Sequence, residues 1–245
     1  MMDMILLDWT RMGKSFCLAG GVAEDDRFRV VRPLLASDRH APVRNVGWPH
    51  WSLEGHARWE IFELIDPEPA APQPPHLEDL WVRAMRSRHR SAAPEVRQAL
   101  LRATEGEQGQ PVFGVPLDRT RSAMRLQPGL GRRSLATLVV PSDRVTFRAY
   151  HHEGGPQAEV RVLLDVPGPA GHWLPVKDHH LLLKAEQGAT GTEDLIARLT
   201  AAIRGMGERV AVRLGLSRAH SIPGQELTWC WLMADGFFSL ADPQP

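Results

Sequence analysis

Three early stretches read as strands: Met4 to Asp8, Phe16 to Val22 and Phe28 to Leu34, the last with Phe28 and Val30 alternating with Arg27 and Arg29. Turn residues separate them at Met12-Gly13-Lys14 and Glu24-Asp25-Asp26, so the opening of the chain predicts a three-stranded meander. Residues 36–57 lose the period, and predict a long loop with some packing by Trp48 and Trp51. Arg58 to Asp66 reads as a further strand, and the proline-rich run that follows predicts an extended connector without regular pairing. His76 to Met85 fits a strand or a short helix equally well.

The pattern changes to helical at Pro94 to Ala103, with proline in the first turn and Val96, Leu100 and Leu101 on one face. Strands return at Ser134 to Val140, Val145 to His151 and Ala158 to Val166, with Gly154-Gly155-Pro156 as the turn of a second meander. Asp178 predicts an N-cap for a helix through Glu186, and Thr192 opens another through Met206 on the apolar face Leu195, Ile196, Leu199 and Ile203. Strands Arg209 to Leu216 and Gln225 to Leu240 close the chain. The last pair repeats the first: a strand, a loop with an arginine, and a return strand with an aromatic-Cys step. Arg11 with Phe16-Cys17 corresponds to Arg218 with Trp229-Cys230. The expectation is two similar β-modules, each offering one basic loop, in a mainly β chain with a few helices.

Composition narrows the function. The chain of 245 residues carries 29 basic and 29 acidic side chains, so no global field draws it to nucleic acid or membrane and an anionic ligand must meet a local patch. The one strongly basic stretch, Arg83 to Arg133, has eleven arginines against Glu95, Glu105, Glu107 and Asp118. Cys17 and Cys230 are the only cysteines, without CxxC spacing, which argues against a zinc ribbon or disulfide framework and suits a reducing cytoplasm. The apolar run before Asp8 is too short for a signal peptide, and no run approaches the ~18 residues of a membrane span.

The loop Asp8 to Ser15 supplies Thr10, Arg11 and Lys14 as groups suited to phosphate, with Gly13 allowing close backbone approach and Trp9 beside it to stack on a base. Ser217 and Arg218 form its counterpart. Trp59, Trp229 and Trp231 read as core, whereas Trp9, Trp48 and Trp51 read as loop residues suited to a ligand surface. The pairs His151-His152 and His179-His180 match no metal-ligand spacing, and GxSxG, Walker A and HExxH motifs are absent.

Both ends, ILLDWTRMGKSFCLAGGVAEDDRFRVVRPL and VRLGLSRAHSIPGQELTWCWLMADGFF, resemble the dual OB-containing domain family of prokaryotes, including the Arg32-Pro33 step that ends the third strand. The resemblance implies two OB-like β-barrel modules with short helices between and within them. Residues 1–82 would form the first, 83–133 a basic connecting segment with a short helix, and 134–245 the second with two helices. It also implies a non-catalytic nucleic-acid-binding sensor or adaptor of a bacterial conflict or defence system, preferring single strands and needing no cofactor or metal. Trp9, Thr10, Arg11, Lys14, Arg32, Ser217 and Arg218 are the expected contacts, and an effector protein encoded nearby is an expected partner. The alternatives are a module that docks an acidic protein through Arg83 to Arg133, and a metal-dependent hydrolase using the histidine pairs.

Overall fold

The computed structural model describes residues 2–13, 15–25, 27–39, 47–70, 73–105, 111–120, 123–151, 158–166, 171–221 and 227–240. Lys14, Asp26 and the turn expected at Gly154-Gly155-Pro156 lie outside them. The protein is mainly β, built from curled sheets that include a half-barrel.

The first half runs β1 (Met2–Met12), β2 (Ser15–Glu24), β3 (Arg27–Leu35), β4 (Trp48–Pro49), β5 (Glu60–Ile65), β6 (Glu68–Pro69), β7 (Asp79–Val82), β8 (Ala84–Ser91) and α1 (Pro94–Ala103). Its strands form one sheet in the order β6-β7-β3-β2-β1-β5-β8, with β4 added on β2. The second half runs β9 (Asp118–Arg119), β10 (Met124–Leu126), β11 (Leu135–Pro141), β12 (Val145–His151), β13 (Ala158–Leu164), β14 (Trp173–Pro175), α2 (His179–Glu186), α3 (Thr192–Gly205), β15 (Arg209–Leu216) and β16 (Cys230–Ser239). It makes a five-stranded sheet, β11-β15-β16-β10-β9, and a three-stranded sheet, β12-β13-β14.

The expected opening meander forms and is longer than its pattern showed. Trp9, read as a loop residue, lies within β1 and is 4% exposed. A bulge explains this: between Leu6 and Asp8 the register with β2 slips by one residue. The extra residue reverses the alternation, so Met4, Leu6 and Trp9 all enter the first core while Ile5 and Leu7 face a separate cluster with Ala211 and Phe238 of the second half. Met4 to Leu7 of β1 form an uninterrupted apolar run because both faces of the strand are covered there. Gly21 of β2 helps to close that junction, since a Cβ there would meet Leu100 Cδ1 of α1 at 2.3 Å.

Other expectations need correction. The proline-rich run is not free of pairing, because Glu68 and Pro69 form β6 against β7. Within His76 to Met85, Asp79–Val82 form β7, which lies parallel to β3, and Ala84 begins β8. The second meander divides: β12, β13 and β14 pair in turn, but β11 pairs with β15. The stretch 83–133 also divides, since β8 pairs with β5 of the first sheet and β10 with β16 of the second. The helices follow their patterns, and Asp178 caps α2 by accepting from the Leu181 amide at 2.9 Å.

Candidate nucleic-acid interface

The site residues expected from sequence gather where the two halves meet, and most are engaged there. Thr10 is buried and bridges Asp178 across the junction. Arg11 donates through both terminal nitrogens to Glu186 of α2 at 2.7 and 2.9 Å, and through Nε to His179 Nδ1 at 3.1 Å. Buried Arg32 donates to Ser134 Oγ at 2.6 Å and lies 2.8 Å from His76 Nδ1 and 3.6 Å from Asp79. Arg218 donates to Asp79 at 2.7 Å, and the Ser217 carbonyl lies 3.1 Å from His76 Nε2. Burial, reinforced by the charges of Arg32 and Arg218, pushes the His76 pKa down to about 2 and keeps the ring neutral. Arg11, near the end of β1, therefore reaches a carboxylate of the second half, and Arg218 reaches one of the first. The two arginines act as reciprocal clasps, and a phosphate would have to break an existing ion pair to reach either guanidinium.

The interior of the junction is more charged still. Arg213 is fully buried and holds Asp8 through bonds of 3.1, 3.1 and 2.8 Å, with Thr137 Oγ1 accepting its remaining arm at 3.1 Å. Asp178 accepts from the Phe237 amide and pairs with Arg58 at 2.6 Å. Asp235 is the extra residue of a second bulge, in β16, and its carboxylate fills the space over Gly215, where a Cβ would stand 1.7 Å from it. Burial, aided by the neighbouring Asp8 carboxylate, pushes the Asp235 pKa up to about 7 against the pull of Arg32 and Arg213.

The first four arginines of the basic stretch are likewise matched by acids from outside it. Arg83 pairs with Asp66, Arg86 with Glu63, Arg88 with Asp3 and Glu63, and Arg90 with Asp3. His179 and His180 pack around Trp9, at ring separations of 5.0 and 4.7 Å. Burial lowers their pKa values to about 4 and about 3, with Arg11 adding to the first shift and Arg58 to the second. Among the described residues no group of three or more His, Cys, Asp or Glu side chains is arranged to hold a metal ion. No helix among them is long and apolar enough to cross a membrane.

A second cluster of cations and aromatic rings lies on the three-stranded sheet. Val145, Phe147, Val160, Val162, Leu164 and Leu174 turn one face into the second core. The alternate residues Thr146, Arg148 and Tyr150 of β12, Arg161 and Leu163 of β13, and Trp173 of β14 therefore line the outer face. Arg148 and Arg161 stand directly opposite each other across the β12-β13 pair. Like charges in that register repel, and each guanidinium is laid over an aromatic ring instead: Arg148 over Trp173 and Arg161 over Tyr150, both 4.1 Å from the ring centre. Lys177 adds a third cation and Glu159 one carboxylate, accepting from Lys177 Nζ and Arg161 Nε at 3.0 Å each. Tyr150 is 38% exposed.

Sequence reasoning passed over this face. The polar members of β12 and β13 were visible as an alternation, but the strand register that pairs two arginines with two rings is not written in any one segment. No protein-family model, curated protein or solved structure matches the chain.

Proposed function

We infer that the protein binds single-stranded nucleic acid without catalysing a reaction on it, using the outer face of β12-β13-β14. The carrying observation is the pair of cross-strand arginines set over Tyr150 and Trp173 on the face of this sheet turned away from the second core. Aromatic rings take bases of any sequence and arginines take phosphates, which is the chemistry of a single-strand platform. The spacing favours a splayed strand. Tyr150 pairs with Glu159 and Trp173 with Leu163. Four residues along β13 and two strand spacings across put the rings roughly 16 Å apart. That is several times the ~3.4 Å rise of stacked nucleotides, so bases on both rings belong to an unstacked strand. An OB-like reading of each half, and a sensor or adaptor role, accord with this surface and with the resemblance of the chain ends.

Fluorescence anisotropy with labelled oligonucleotides of about 12 nucleotides, a length within the site sizes of such platforms, tests the reading. Single strands should bind more tightly than the matching duplex, and Tyr150→Ala or Trp173→Ala should each cost about 1 to 3 kcal/mol of binding. Equal binding of duplex, or binding indifferent to both rings, would reject it. Docking of a protein partner retains one observation in its favour, the 74% exposure of Trp51. Co-purification of a protein without nuclease-sensitive material would select it.

A further inference from the structure

We propose that the platform caps itself: in the free protein Arg148 and Arg161 occupy the ring faces that bases take in the complex, and binding exchanges them onto the phosphates. This rests on the single-strand reading above and adds a regulation of the same surface. Each guanidinium lies 4.1 Å from a ring centre, the separation of a stacked plane, so a base cannot occupy that face together with it. The two arginines are also forced there by each other. They are register partners, and moving either back over its own strand would bring two like charges together. A phosphate between them removes that repulsion, so the anion that draws the arginines inward uncovers the rings in the same step.

Glu159 biases the exchange. It holds Arg161 through Nε and holds Lys177 through Nζ, keeping one arginine and the nearest lysine on the resting side. Burial opposes its charge, but Lys177 and Arg161 outweigh this and hold its pKa below the usual carboxylate value, so it stays charged at neutral pH. Base stacking and phosphate pairing are thereby linked. An uncharged strand cannot open the rings, while a ligand with phosphate opens both.

The test compares an ordinary phosphodiester oligonucleotide with a methylphosphonate of the same sequence, which keeps the bases and loses the charge. Wild-type protein should bind the first and scarcely the second. Arg148→Gln and Arg161→Gln should each weaken the phosphodiester about tenfold, the cost of losing one charged contact. Each should also strengthen the methylphosphonate about two- to fivefold, the worth of a surface cation–π contact no longer in competition. The gain should vanish when Trp173→Ala accompanies Arg148→Gln, or Tyr150→Ala accompanies Arg161→Gln. If wild type binds the phosphodiester and neither Gln variant gains affinity for the methylphosphonate, capping is overturned and the single-strand reading stands. If wild type binds neither strand, the reading and the capping fall together. Thermal melting of each variant separates these results from loss of fold.

Discussion

Asp235 shows how one side chain makes the junction sensitive to pH. Its folded-state pKa of about 7 lies above the 3.8 of an unperturbed carboxyl, so between these values the folded protein holds a proton that the unfolded chain releases. The stabilisation is complete below the ordinary value and is lost as pH rises through about 7. His179 and His180 act in the opposite sense: their folded values of about 4 and 3 lie below 6.5, so stability present above that value falls as pH drops through the folded values. Asp235→Asn should therefore remove a loss of stability that accrues between about pH 4 and pH 7, so that the melting temperature of the variant relative to wild type rises across that window and levels off above it, as followed by circular dichroism. A difference between variant and wild type that does not change with pH would place the titrating group elsewhere. None of this was legible from sequence, because Asp235 reads as an ordinary polar residue of a strand. Only the bulge and the approach of Asp8 from the other end of the chain give it a buried, acidic setting.

At the scale of elements, the sequence was most informative where the physics is local. Pro94 at the first turn and Leu100 and Leu101 on one face define α1, and Asp178 defines the start of α2. It was least informative where the partner is distant. The arginines of β8 look like an open basic stretch until Asp3, Glu63 and Asp66 are brought against them. The platform illustrates both cases. Its strands follow from alternation, but the arrangement of Arg148, Arg161, Tyr150 and Trp173 depends on the register between three consecutive strands, which no one of them states. Glu159 is the element's internal opponent to an anionic ligand. Replacing it by Gln should strengthen oligonucleotide binding several-fold at low salt, with the advantage fading as salt rises. Unchanged affinity in an anisotropy titration would show that Glu159 does not face the ligand.

For the whole molecule, the two end hairpins prove to be the seam of the fold. β1 packs against β16, each hairpin carries a bulge, and the bulges set Asp8 beside Arg213 and Asp235 over Gly215. The similarity of the two ends is visible in the sequence, which leaves Arg11 and Arg218 looking like open ligand contacts. In the fold Arg11 and Arg218 cross to the opposite half, because a carboxylate lies within reach there. Removing one partner of the buried Asp8–Arg213 pair leaves the other charge uncompensated. Asp8→Ala or Arg213→Ala should each cost about 3 to 5 kcal/mol in urea unfolding, and an apolar replacement of both should cost less than either alone. Because this pair and the apolar cluster around Leu7 and Phe238 join the halves, wild-type unfolding should show one transition for both.

The central claim is that the outer face of β12-β13-β14 meets phosphates, and its most direct test is the salt dependence of single-strand affinity. With Arg148, Arg161 and Lys177 engaged, log affinity should fall with log salt at a slope of about −2, near −0.7 for each phosphate neutralised. Arg148→Ala with Arg161→Ala should abolish most of that slope and most of the binding while leaving the melting temperature unchanged. A wild-type affinity indifferent to salt, or a double variant that binds with the wild-type slope, would contradict the account.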